Sequence, residues 1–253
     1  MPRSPIDDPT GSGDGGTTDR LLVGVDGCRG GWVAAMAPLD RPDRLIAVEV
    51  VAQIDELLAD VVGGRFAMVA LDMPMGLPES GPRRCDIETR QRLGRRAPSV
   101  FPTPPRPVLG CTDHAAAVAM GRRIDGRGIS IQAFNLIPKI VQVDRALGDP
   151  PDPRILARVV EAHPESAFAE LAGAPLTSAK RTAAGRAERL ALLATVFHEG
   201  NHLLERRHPG AAPDDVLDAA VLVRTAHRMV TGSAMVLGGE ERDARGIPMR
   251  VVI

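Results

Sequence analysis

The spacing of four apolar runs constrains this chain more than any other feature. LLVGVD (21–26), GWVAAMAP (31–38) and RLIAVEVV (44–51) each read as a short strand, and the turns between them are too short for helical crossovers, so the three form an antiparallel meander. IDELLADVV (54–62) has helical spacing and stops at Gly63 and Gly64. FAMVALD (66–72) is then a continuous apolar run suited to a buried strand. One helix between the third and fourth strands lets the fourth return parallel to the first through a right-handed crossover. The expected order is β-β-β-α-β at the head of an α/β domain.

The remainder alternates less regularly. From Pro74 to about Gly128 the sequence is rich in Arg and Pro and reads as an insertion or flap; its segment 83–96 carries six Arg against Asp86 and Glu88. This is either a solvated helix followed by a proline-stiffened loop or an anion-facing flap over a site. AFNLIPKIVQVDRAL (133–147) has helical periodicity, with Pro138 expected to start the helix or kink it. VVEAHP supplies a fifth strand, helices follow over roughly 183–205 and 214–230, and the C-terminal SAMVLGGEERDARGIPMRVVI reads as a small hairpin. Residues 1–19, rich in Gly, Pro, Asp and Thr without a signal-peptide core, read as a disordered tail before one domain spanning 20–253. An apolar content of 44%, a net charge of −1 and no long uncharged apolar run describe a soluble globular protein without a membrane span. Cys28, Cys85 and Cys111 are odd in number and widely separated, which fits a reducing cytoplasm better than a disulfide framework or a metal knuckle.

Carboxylates supply the chemistry. Asp26 closes the first strand and Asp72 the fourth; as parallel neighbours those strands present both acids at the carboxyl edge, where open α/β sheets place ligands. Either acid alone is also a good turn former. In PDDVLDAAVLVRTAH (213–227), Asp214 or Asp215 can cap a helix, but Asp218 sits a turn inside it between Leu217 and Ala219. Converging carboxylates without suitably spaced Cys or His favour Mg²⁺ or Mn²⁺ over zinc. Two such ions ~4 Å apart activate a water and stabilise a leaving oxygen in phosphodiester cleavage. Lys139 and Lys180 are the only lysines among 31 basic residues, and a compact ammonium is not well replaced by Arg near phosphates or in proton transfer. They are therefore candidate site residues, with ordinary surface lysines as the alternative.

Together, VDGCRGGWVAA, LDMPMGLP, the RRCDIETRQRLGRRAPSVFPTPPR segment, ISIQAFNLIPKI, EAHPE, SAKRTAAGRAERLALL and DDVLDA resemble the DUF429 family, described as predicted nucleases of ribonuclease H-like fold. The resemblance covers nearly all of 20–253. It implies a mixed sheet flanked by helices, with metal-site roles for Asp26, Asp72, Asp215 and Asp218. Glu161, His163 and Glu165 of EAHPE match a family motif; a carboxylate there would be a further ligand or a general base, and His163 a proton carrier, unless the three simply form a turn. The implied activity is metal-dependent hydrolysis of nucleic acid. With near-neutral net charge, the basic footprint must come from Arg83, Arg84, Arg90, Arg92, Arg95, Arg96 and Arg106.

Three other readings compete. HEGNH (198–202) matches the zinc-protease pattern H-E-x-x-H, although Gly200 weakens the helix that pattern needs and no third ligand is signposted. An actin-like or sugar-kinase ATPase would need a duplicated core. A catalytically idle member of the same fold would bind nucleic acid or protein through the Arg flap.

Overall fold

The structure is a computed structural model describing residues 20–253, so the expected N-terminal tail lies outside the described residues. In chain order the elements are β1 (Leu21–Cys28), β2 (Gly31–Pro38), β3 (Ala47–Val51), α1 (Ile54–Val62), β4 (Phe66–Leu71), α2 (Arg84–Leu93), α3 (His114–Asp125), α4 (Ile131–Ala146), α5 (Pro153–Leu156), β5 (Val159–Glu161), α6 (Pro164–Ala172), α7 (Ala183–Ala194), α8 (His202–Glu205), α9 (Pro213–Val230), β6 (Val236–Leu237) and β7 (Val251–Val252). The main sheet has the order β3-β2-β1-β4-β5; β1, β2 and β3 pair antiparallel, while β4 pairs parallel with both β1 and β5. The hairpin β6–β7 forms a separate two-stranded sheet, joined to the end of β5 by a bridge between Val252 and Ala162. Among the described residues no helix is long and apolar enough to cross a membrane.

Strand alternation divides the core into two layers. Val23, Val25, Val69 and Leu71 face α1 and α4, whereas Leu22, Cys28, Met68 and Ala70 face α9. The second helix layer is closed on both sides: α9 lies on β1, β2 and β4, and α6, α7 and α8 pack against it from outside. Every residue from Val216 to Val223 is consequently buried, including Asp218. An acid in the middle of such a helix has no water to turn to.

The approach of α9 to the sheet depends on Gly24. A Cβ at that position would lie 2.0 Å from the Ala219 carbonyl oxygen and 2.6 Å from the Val223 nitrogen, both backbone atoms that cannot swing aside. Ala219 and Ala220 on the facing helix keep the contact shallow from the other side. At the β1–β2 turn Gly31 has φ +126°, and a side chain there would strike the Val51 carbonyl oxygen.

Three expectations change on contact with the structure. Pro138 does not start the helix: α4 begins at Ile131, its first turn held by Ser130 Oγ accepting from Ala133 N, and the buried row Ala133, Ile137, Ile140 and Val143 carries it past the missing donor. The helix expected over 183–205 ends at Ala194. HEGNH therefore lies mostly outside helix, with His198 exposed, Glu199 bound to Arg41 and Arg44, and Gly200 at φ +84°. Its histidines lack the shared helical face a zinc-protease site requires, and that reading falls. The 83–96 segment does form a helix, α2, solvated on one face only: Arg84, Ile87, Gln91 and Arg92 are exposed, while Cys85, Asp86, Thr89 and Leu93 are buried.

Gly24→Ala should lower the denaturation midpoint by the equivalent of about 1–3 kcal/mol, as expected for overpacking against rigid backbone. A loss below about 0.5 kcal/mol, the usual scatter of a neutral substitution, would show that α9 can lift off β1 without cost.

Candidate metal centre

Two carboxylates are delivered by strand register. Val25 pairs with Leu71, and Asp72 N donates to Val25 O at 2.8 Å, so Asp26 and Asp72 occupy the next position on adjacent parallel strands. Both follow the parity of Leu22 and Ala70 and face the α9 layer. Their side chains are close enough to hydrogen-bond each other, and Asp26 Oδ1 also accepts from Gly27 N at 2.7 Å. The third carboxylate comes from above: Asp218 is 1% exposed, one turn into α9, next to Ala219, which rests on Gly24.

A cation already stands among these acids. Lys180, in the connection between α6 and α7, places Nζ 2.6 Å from Asp218 Oδ2 and 3.9 Å from Asp214 Oδ2. Lys139 approaches the same edge from the opposite layer on α4. Its Nζ donates to Gly31 O at 2.5 Å and lies 4.5 Å from the centroid of the Trp32 ring, with its stem against Gly27.

Burial raises all three carboxyls. Burial, then the charges of Asp72 and Asp218, push the Asp26 carboxyl well above the ordinary range, with Lys180 opposing. Burial lifts Asp72 to about 6 against the pull of Lys180 and the hydrogen bond with Asp26. Asp218 also stands at about 6, raised by burial and held down chiefly by Lys180. Burial alone would lower the Lys180 ammonium, but Asp218, Asp26 and Asp72 more than reverse it. Lys139 is lowered by burial despite Cys28, Asp26 and Asp215 nearby. Asp215, expected as a ligand, accepts from Ala212 N at 2.9 Å and caps α9; its charge reaches Asp26, but one oxygen is engaged by the helix end.

Among the described residues no three Asp, Glu, His or Cys side chains are gathered as a ready-made cation site. The chemistry of the donors nevertheless suits a hard divalent ion: the available groups are carboxylate oxygens, and Asp218 Oδ1 is buried without a hydrogen-bond partner. Lys180 holds the compensating charge, and its side chain is 36% exposed, so it has room to withdraw.

EAHPE does not join this cluster. Glu161 pairs in register with Leu71 and therefore points to the opposite face from Asp26 and Asp72. There Arg83 Nη1 and Nη2 bind its two oxygens at 2.7 and 2.5 Å, and Met75 N donates to Oε2 at 3.0 Å. Glu161 is a structural anchor, not a ligand or base. His163 lies near Asp218 and Lys180, but both ring nitrogens are engaged: Nε2 faces Ser99 O at 3.3 Å and so must be the donor, leaving Nδ1 to accept from Ser166 Oγ at 3.2 Å. A neutral imidazole satisfied in this way, with burial lowering its pKa, holds the flap and is not poised for proton transfer. Glu165 is held by Arg96 and by the fully buried Arg189.

The arginine footprint is also revised. Arg83 is buried between Glu161 and Asp86 and cannot meet a substrate. Arg90 donates to Ala97 O and Val100 O, and Arg96 to Glu165 and Ser178 O. Arg106 binds Asp144 and Asp243. Arg84 and Arg92 reach the surface paired with Glu88 and Glu170. Of this set only Arg95 is exposed and unpaired among the described residues. Sequence reasoning missed Arg189, whose signal was an arginine in the buried row Gly185, Arg189, Leu193 of α7.

A mixed sheet with an antiparallel meander, parallel β1–β4–β5, helices on both faces and acids at the carboxyl ends of β1 and β4 is consistent with a ribonuclease H-like α/β fold. Residues 24–243 match the family model described as "Protein of unknown function (DUF429)", and the chain belongs to that family. No curated protein and no solved structure matches it.

Because folding lifts Asp72 from the usual carboxylate range to about 6, its neutral form contributes stability that is complete below about pH 4 and is lost as pH rises through about 6. Asn at this position resembles the neutral form at every pH. In chelator, the stability of Asp72→Asn relative to wild type should therefore grow as pH rises from about 4 to about 6 and level off above about 7. Denaturant midpoints across this range that keep a constant difference would show that Asp72 titrates normally.

Proposed function

We propose that this protein is a divalent-metal-dependent hydrolase of phosphodiesters, acting on nucleic acid. The observation that carries the reading is the meeting of Asp26, Asp72 and Asp218 at one sheet edge, with carboxyl pKa values raised and one buried oxygen unpartnered. Evicting solvent from three acids is costly unless a cation repays it. Asp26, Asp72 and Asp218 would hold Mg²⁺ or Mn²⁺, with Asp215 adding negative charge at the margin. Such an ion supplies Lewis acidity toward a phosphoryl group.

The chain's own residues do the rest. Asp26 and Asp72 are fixed by parallel register and Asp218 by the α9–β1 contact, so the acids need little rearrangement. Lys180 neutralises Asp218 when no ion is present; once displaced, its ammonium remains at the mouth and can meet a phosphate oxygen. Lys139, pinned between Gly31 O and the Trp32 ring, offers a second fixed positive charge.

A second reading is favoured by one specific observation, the Lys180–Asp218 contact: in a catalytically idle protein of this fold, the lysine would permanently replace the ion. The two readings part on three variants. If the site is catalytic, Asp26→Asn and Asp218→Asn should stay folded in chelator and lose most of the Mn²⁺-induced rise in melting temperature. They should also lose cleavage of single-stranded, duplex or branched nucleic acid in Mg²⁺ or Mn²⁺. Lys180→Met should melt lower in chelator, by about 1–3 kcal/mol for a lost bond to a charged group, yet gain a larger Mn²⁺ stabilisation than wild type. Wild type showing neither Mn²⁺ stabilisation nor cleavage on any of these substrates would establish the idle reading.

A further inference from the structure

Phe101 is the one exposed member of the chain's Phe, Trp and Tyr residues. The chain has five Phe, one Trp and no Tyr. Trp32, Phe66, Phe168 and Phe197 are all 1% exposed or less and Phe134 is partly buried, whereas Phe101 is 43% exposed. Its backbone is nevertheless tightly held. Val100, immediately before it, is buried against Leu93 and Ala169, and its carbonyl accepts from Arg90 at 2.6 Å. Ser99 Oγ donates to Arg96 O, and Thr103 N donates to Asp86 Oδ2 at 3.1 Å. Pro98, Pro102, Pro104 and Pro105 restrict what remains. A ring kept in water on a fixed support has already met the ordering cost that binding would impose.

The support borders the acid cluster. Ser99 O accepts from His163 Nε2 at 3.3 Å, and His163 feels the charges of Asp218 and Lys180. Arg96 Nη2 reaches Ser178 O at 3.4 Å, two residues before Lys180. Arg95, exposed and unpaired among the described residues, lies on the same short segment.

We infer that Phe101 and Arg95 form the nucleotide-reading rim of this site, with the ring stacking on an unpaired nucleobase and the guanidinium meeting an adjoining phosphate. This rests on the proposed phosphodiester chemistry and narrows it. A base face is available in a single strand, a looped-out nucleotide or a free mononucleotide, but not inside a duplex, so the favoured ligand is an unpaired nucleotide.

The test uses the full chain in chelator, where cleavage plays no part. Anisotropy with a labelled single-stranded oligonucleotide should show Phe101→Ala binding about tenfold or more weakly than wild type, with Phe101→Trp restoring affinity. An abasic oligonucleotide of equal length should bind wild type and Phe101→Ala alike. Arg95→Ala should weaken both oligonucleotides equally and reduce the salt dependence. In Phe101→Trp the new indole is exposed while Trp32 is buried, so fluorescence quenching reports stacking directly. Quenching by the oligonucleotide identifies a strand as the ligand, and quenching by a mononucleotide alone identifies a small nucleotide; either supports the rim. Equal affinity of wild type and Phe101→Ala for the single strand, or no binding and no quenching by either ligand, overturns it. Stacking in chelator without cleavage in Mg²⁺ or Mn²⁺ would retain the rim and remove the hydrolase reading, so the two failures are separable.

Discussion

The contact between Gly24 of β1 and the backbone of α9 determines what the rest of the molecule can be. Only a hydrogen fits between that strand and the Ala219 carbonyl, and the closeness brings Asp218 down to the edge where β1 and β4 end. A larger residue would have to raise the helix and separate the acid on α9 from those on the strands. Shape complementarity between two apolar surfaces thus sets the geometry of a charged cluster, because packing between rigid backbones tolerates little slack. The outer helices reinforce it by covering α9 from behind, so Asp218 can turn only toward its neighbouring acids and Lys180.

Those acids work against folding. Each loses water, and Asp26 and Asp218 also feel the charge of neighbouring acids, so Asp26, Asp72 and Asp218 all hold their protons more tightly than exposed carboxyls do. Lys180 relieves part of the repulsion. A cluster that a well-packed core has no use for, maintained beside a lysine able to leave, is the pattern of local frustration that functional sites show.

Much of this was readable in the residues. Strand spacing gave the meander and the crossover, and a strand ending in Asp beside a parallel strand ending in Asp gave their convergence. Asp218 was conspicuous because an acid between Leu217 and Ala219 lies beyond the reach of capping. What failed to read depended on partners distant in sequence. Glu161 looked like a third strand-end acid, but its register with Leu71 sends it to the other face, where Arg83 waits. The arginines between 83 and 106 looked like a basic surface because composition counts charges without showing which are already matched by Glu161, Glu165, Asp144 or Asp243. Pro138 looked disruptive because local propensity takes no account of the buried row that carries α4 past it.

The same matched charges decide how the cleft behaves in time. The insertion is fastened at Arg83 to Glu161, at Arg96 to Glu165 and at Arg106 to Asp144 and Asp243, and each of these three knots involves a buried carboxylate. Lifting it as a lid would strand those charges in apolar surroundings, a penalty of several kcal/mol for each broken pair. The insertion is therefore a fixed wall, whereas Lys180, the cation paired with Asp218, is partly exposed. Swinging Lys180 aside costs its one bond to Asp218, about 1–3 kcal/mol, well below the cost of unfastening the three knots together. On the proposed reading, an arriving cation therefore competes with a single lysine for the acids and need not wait for a loop or domain to move.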